Sequence, residues 1–205
     1  MPALRILVVD DHPLFRVGVT AILTSEADLS VVGEASTGTE GIEAFQTLRP
    51  DITLVDLKLP DMDGDQVITT VRKATPAAKF VVLTTYGGDA AARRALSAGA
   101  QGYLLKTSLV NELVATVRAV HAGQHHVSAA VAKELSEHRS DECLTEREIA
   151  VLRGVAAGME NKQIAQWLGI SADTVKEHLS RAMAKLHASN RSHALAIALS
   201  RGFLA

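Results

Sequence analysis

Five short runs that are almost wholly apolar punctuate the first 122 residues: RILVVD (5–10), SVVGE (30–34), DITLVD (51–56), KFVVLT (79–84) and QGYLLK (101–106). None alternates apolar with polar residues, so each reads as a strand covered on both faces. Between them lie amphipathic helical patterns at about 12–25, 38–48, 64–74, 89–98 and 109–122, with Gly99 and Gly123 as helix stops. Strands and helices that alternate in this way predict an α/β domain over 1–123, built on a doubly wound, five-stranded parallel sheet.

The pattern then changes. Residues 124–143 hold a short amphipathic segment and a polar run, and are expected to be a linker. From Leu144 to the end only helical patterns remain, which predicts a second, all-α domain over 144–205. Thr145 and Glu148 have capping-box spacing, Gly158 closes the first of these helices, and Ser171 caps the third. A chain of 205 residues is long enough for two cores. Charge divides along the same lines, with net values of −3 over 1–124, −2 over 125–143 and +3 over 144–205. An acidic front and a basic tail point to nucleic acid, though +3 alone decides nothing. The single cysteine, Cys143, excludes an internal disulfide. The N-terminal apolar stretch is too short for a signal-peptide core and no run of about eighteen apolar residues occurs, so a cytoplasmic protein without a membrane span is expected.

In open parallel sheets, ligands lie outside the carboxyl ends of the strands. Those ends carry Asp10 and Asp11, Asp56, Thr84 and Thr85, and Lys106. Carboxylate oxygens suit Mg²⁺, which also pairs with phosphate. A carboxylate can attack a phosphoryl group, while an ammonium and a hydroxyl receive its oxygens. The stretch TLVDLKLPDMDG (53–64) adds Asp61 and Asp63, followed by Asp65. An EF-hand reading of these three fails, because Gln66 and Arg72 stand where the loop needs Gly and Glu, so they read as solvated turn residues.

In SADTVKEHLSRAMAKL, steps of 100° place Val175, Leu179, Ala182 and Leu186 on one apolar stripe. Opposite lie Asp173, Lys176, Glu177, Ser180 and Ala184, a slim face with Thr174, Arg181 and Lys185 on one flank. Such a face can enter a major groove while its flank meets phosphates, although a solvated outer face would look similar.

VVDDH, TLVDLKLPDMDG, VVLTT and GYLLK, in this order and spacing, resemble the receiver domain of two-component response regulators over residues 4 to about 122. The resemblance implies a flavodoxin-like fold, Asp56 as phosphoacceptor, and Mg²⁺ held by Asp10, Asp11, Asp56 and the backbone carbonyl of Lys58. It further implies Thr84 and Lys106 on the phosphoryl group and Tyr103 as the switch aromatic. Thr107 stands where many receivers have Pro, and the resemblance suggests a cis peptide bond between Lys106 and Thr107.

From Leu144 nearly to the end the chain resembles the LuxR-type helix-turn-helix, and the two halves together resemble NarL/FixJ-type regulators. That implies Lys176, Glu177 and Ser180 toward bases, and Asn161, Ser171, Thr174, Arg181 and Lys185 near phosphates. It also implies a last helix (Leu195, Ile197, Ala198, Leu199) that pairs two DNA-binding domains. The partners implied are a sensor histidine kinase, double-stranded DNA and a second copy of the chain. His121 and His125 flank the helix-breaking Gly123 and read as solvated linker residues. Two other readings stay open. An aspartyl-phosphate phosphatase would need an acid two residues after its nucleophile, where Lys58 stands. A constitutive DNA-binding protein would use the receiver only to dimerise.

Overall fold

A computed structural model of the chain describes residues 3–85, 88–137 and 143–204. The expected linker residues 138–142 lie outside them. The chain divides into two compact units, one of residues 1–85 with 92–132, the other of residues 86–91 with 133–205.

The first unit is a parallel sheet whose strands are β1 (Leu4–Val9), β2 (Leu29–Ala35), β3 (Ile52–Asp56), β4 (Phe80–Thr84), β5 (Gly102–Leu105) and β6 (His126–Val127), in the order β2-β1-β3-β4-β5-β6. The sheet therefore has six strands rather than the expected five. β6 comes from the segment read as linker, where it pairs Gly102 with His126 and Tyr103 with Val127. A two-residue strand carries no periodicity, which is why the pattern missed it. The crossovers contain α1 (Pro13–Thr24), α2 (Gly38–Leu48), α3 (Gly64–Ala74) and α4 (Asp89–Ala98), and α5 (Leu109–His121) follows β5. The apolar runs are buried as expected of strands covered on both faces. Ile6, Val8, Leu54, Val81, Leu83 and Leu104 pack with Val19 and Leu23 of α1 and with Val117 and Val120 of α5.

In the loop between β3 and α3, Asp61 is exposed, as expected of a turn residue. Its carboxylate accepts from Thr39 Oγ1 and from the backbone N–H groups of Thr39 and Gly38, closing the open end of α2. The Thr39 hydroxyl first, and then these amides, hold its pKa down to about 2. Asp63 begins α3, its N–H donating to Gln66 Oε1 at 3.1 Å while its carboxylate meets Lys58 Nζ at 2.8 Å.

Gly64 closes this loop by donating its N–H to the Leu57 carbonyl. A Cβ there would sit 2.2 Å from the backbone carbonyl oxygen of Asp56, which cannot move aside as a side-chain tip can. Gly64→Ala is therefore expected to cost about 1–3 kcal/mol by overpacking and to displace Asp56. Urea denaturation combined with Asp56 labelling by acetyl phosphate checks this, and wild-type stability with wild-type labelling would refute it.

The second unit contains α7 (Glu146–Ala156), α8 (Asn161–Leu168), α9 (Ala172–Lys185) and α10 (Arg191–Ser200), and α6 (Ala129–Glu137) runs into it. Thr145 and Glu148 form the expected capping box, and the Ser171 side chain accepts from the Thr174 N–H at the start of α9. Between α8 and α9 the chain turns through Gly169 at φ 66°, a left-handed conformation that suits glycine. Val175, Ala182 and Leu186 are buried, and Leu179 partly so, as the apolar stripe on α9 predicts. Among the described residues no helix is long and apolar enough to cross a membrane.

Candidate functional site

β1 and β3 are hydrogen-bonded neighbours with Val9 opposite Val55, so the next residues, Asp10 and Asp56, emerge side by side. The sheet's strand order reverses between these two strands, which is where open α/β sheets bind ligands. On the other flank Thr84 pairs with Leu105, and the Lys106 N–H donates to the Thr84 carbonyl at 2.7 Å. That bond fixes where the Lys106 side chain begins. Its Nζ lies 2.6 Å from Asp10 Oδ2 and 2.6 Å from Asp56 Oδ2.

Asp10, Asp56, Thr84 and Tyr103 are buried, whereas Asp11 is partly open to solvent. Burial raises the Asp56 pKa above the ordinary carboxylate range, and the hydrogen bond and charge of Lys106 oppose that shift. Two carboxylates thus clasp one ammonium, and a third, that of Asp11, is gathered beside them. Lys106 contacts Asp10 Oδ2 without the alignment of a hydrogen bond, and Asp11 Oδ1 also has no aligned donor. Oxygen acceptors left in excess at a buried edge fit a hard dication such as Mg²⁺. Among the described residues, Asp10, Asp11, His12 and Asp56 are the only group of three or more ligand side chains gathered closely enough to hold a metal.

Lys58 lies beside the cluster, its N–H 3.3 Å from Asp56 Oδ1. Two neighbours escaped sequence reasoning. His12 Nδ1 is 2.6 Å from Asp11 Oδ1, and the Phe15 ring lies 4.3 Å from Lys106 Nζ as a cation–π partner. His12 was visible in VVDDH, but Phe15 becomes a neighbour of Lys106 only once α1 is folded over the sheet edge. No peptide bond among the described residues is cis, so the cis bond suggested for Lys106–Thr107 is not formed. The ring of Pro, which lowers the cost of the cis form, is absent at Thr107.

In the second unit, Lys176, Glu177, Ser180 and Arg181 are exposed on α9, whereas Asn161 and Thr174 are half-buried. The cations of α9, on the expected base-facing face and on its flank, are already paired. Lys176 Nζ contacts Asp173 at 3.0 Å, and Arg181 binds Glu177 one turn earlier. Lys185 Nζ reaches the buried Glu148 carboxylate at 2.8 Å and the Cys143 carbonyl at 3.2 Å. The Ser171 hydroxyl shares a hydrogen bond with Thr174 Oγ1. Leu199, expected on a pairing face of α10, is exposed.

Comparison with known proteins accounts for both halves. The model of the response regulator receiver domain matches residues 6–118, and that of the bacterial regulatory proteins of the luxR family matches residues 142–198. This chain is a response regulator. Similar proteins span it almost end to end. The response regulator protein VraR of Staphylococcus epidermidis is 33% identical over 98% of this chain and 99% of its own length. The uncharacterized transcriptional regulatory protein YhcZ of Bacillus subtilis is 37% identical over 96% and 95%. Among solved structures, RcsB of Salmonella enterica serovar Typhimurium, bound to promoter DNA in the presence of the phosphomimetic BeF3⁻, superposes with a TM-score of 0.75. It is 27% identical and covers 97% of this chain and 98% of its own. The response regulator thus joins a receiver to a LuxR-type DNA-binding domain.

Proposed function

We propose that a sensor histidine kinase phosphorylates this response regulator on Asp56 and thereby controls its dimerisation and its sequence-specific binding to double-stranded DNA in the cytoplasm. The observation that carries the reading is the buried Asp10–Lys106–Asp56 bridge at the carboxyl edge of the sheet, with Thr84 and Tyr103 beside it in the ladder. Functionally the chain divides into a receiver over 1–123, a linker over 124–143 that lends β6 to the sheet, and a DNA-binding domain over 144–205.

An Asp56 carboxylate oxygen attacks the phosphorus of a phosphohistidine, and the P–N bond breaks with its electrons left on the imidazole nitrogen. Asp10, Asp11, Asp56 and the Lys58 carbonyl would hold Mg²⁺, which would supply charge neutralisation for the transferring group. The acyl phosphate takes the charge from the Asp56 oxygen, so Lys106 turns to a phosphoryl oxygen while keeping Asp10. The Thr84 hydroxyl donates to another oxygen, and Tyr103 follows Thr84. Asp56 accepts one phosphoryl group and loses it slowly to water, which sets the protein apart from a phosphatase that turns over.

In the DNA-binding domain, Lys176, Glu177 and Ser180 face bases, while Asn161, Ser171, Thr174, Arg181 and Lys185 lie near phosphates. Glu177 can accept from a cytosine amino group, and α10 with Leu199 pairs two copies. Titrating DNA selected from a random pool, with and without acetyl phosphate and Mg²⁺, tests the switch. Equal affinity in both states would establish the constitutive reading instead. Glu177→Ala releases Arg181 from its partner on the same helix. The expected result is tighter binding to non-specific DNA, with a steeper salt dependence by about one phosphate contact and weaker preference at one base position. Unchanged salt dependence would sink the assignment of Arg181 to a phosphate.

A further inference from the structure

We propose that His12 is itself a metal ligand of the acidic pocket, and that its imidazole strengthens the pocket's preference for the later first-row transition cations over Mg²⁺. The inference rests on the reading of Asp10, Asp11 and Asp56 as the metal site, and it adds a nitrogen donor to that oxygen set.

The geometry comes from both ends of the residue. His12 is the N-cap of α1, yet its side chain makes no capping hydrogen bond, so the helix does not use the imidazole. Its backbone N–H donates to Asp10 Oδ1 at 2.9 Å, which fixes the main chain against the pocket. From there the ring lies over the mouth of the pocket, with Nδ1 2.6 Å from Asp11 Oδ1 and 3.3 Å from Asp10 Oδ1. Adjacent ligands of a cation with bonds of 2.0–2.1 Å stand about 3 Å apart in octahedral geometry, and these two separations bracket that value. One ligand atom from each of Asp10, Asp11, His12 and Asp56 lies within 4.8 Å of the other three.

The two oxygens of Asp10 are divided between partners. Oδ2 contacts Lys106, whereas Oδ1 faces His12. The nitrogen donor therefore stands on the side of the carboxylate that the ammonium leaves open. The ring is also 63% exposed, so it sits where a hydrated ion would enter. Carboxylates and water suit Mg²⁺ and Mn²⁺, whereas imidazole favours Ni²⁺, Co²⁺ and Zn²⁺. Three carboxylates alone would follow the general affinity order of divalent ions, and the imidazole widens the lead of these ions over Mg²⁺.

The competing role is that His12 only orients Asp11 by hydrogen bonding. Calorimetric titration of the full-length protein and of His12→Gln with MgCl₂ and with NiCl₂ separates the two. Ligation predicts that Ni²⁺ binding at the pocket weakens by about tenfold or more, the least that loss even of a supporting partner typically costs, while Mg²⁺ binding weakens by a clearly smaller factor. Parallel losses for both ions would overturn the proposal in favour of orientation, and unchanged Ni²⁺ binding would overturn it outright. Electron spin echo spectra of bound Cu²⁺, an ion that imidazole suits, give a readout independent of affinity. ¹⁴N modulation should be present in the wild type and lost in His12→Gln, and its absence from the wild type refutes ligation. An Asp11→Asn, Asp56→Asn control shows which heat belongs to the pocket. If no Mg²⁺ binds there while the protein is folded, the metal reading of the pocket fails instead, and with it the Mg²⁺-assisted phosphorylation.

Discussion

Asp56→Asn should abolish labelling altogether: incubated with acetyl phosphate and Mg²⁺, wild-type protein gains the mass of one phosphoryl group and the variant gains none. The amide keeps the shape of the carboxylate but lacks the anionic oxygen that attacks phosphorus. Folding should not suffer. The substitution removes one of two buried like charges and leaves Lys106 paired with Asp10, so a collapse in stability would point to a structural role for Asp56. Intact mass and denaturation, measured on the same sample, separate the two. Equal labelling of variant and wild type would remove Asp56 as acceptor.

Lys106→Met should differ in its effect on folding. Removing the ammonium leaves Asp10 and Asp56 buried against each other, and breaking a buried pair from one side costs about 3–5 kcal/mol. The cost depends on pH. The folded-state pKa of Asp56 is already raised by burial, and loss of Lys106 raises it further, since that group opposed the shift. A carboxyl whose folded pKa exceeds its unfolded value binds protons more tightly in the native state, so stability falls as pH rises between the two values. The destabilisation of Lys106→Met relative to wild type should therefore be small near the unfolded value of 3.8 and grow as pH rises through the folded one. Urea midpoints at several pH values check this, and parallel curves for the two proteins would contradict it. Labelling of Asp56 should also fall, because no ammonium remains to receive a phosphoryl oxygen.

Much of this was legible in the chain because buried parallel strands write themselves as unbroken apolar runs, and four of the five runs end at a residue of the candidate site. Asp10, Asp56, Thr84 and Lys106 follow from strand ends alone once the rule for open sheets is applied. β6 did not, since two residues are too few to show a period. Helical periodicity placed α9's faces correctly, but it says nothing about which cations are already engaged. Lys185 meets Glu148 across 37 positions of sequence, a contact that depends on how α7 and α9 pack. The Asp61 bond to α2 was hidden for the same reason, with Gly38 lying 23 positions away. Charges that looked alike on paper therefore divide into structural and chemical sets only in the folded chain.

One consequence of the charge balance around Lys106 remains. Three carboxylates against one ammonium leave the edge of the sheet short of positive charge, so a phosphoryl group arriving alone meets repulsion and a dication arriving alone meets a half-neutralised site. On the proposed reading the pocket is a coincidence detector: each visitor is favoured by the other, and the regulator answers to the metal supply of its compartment as well as to its kinase.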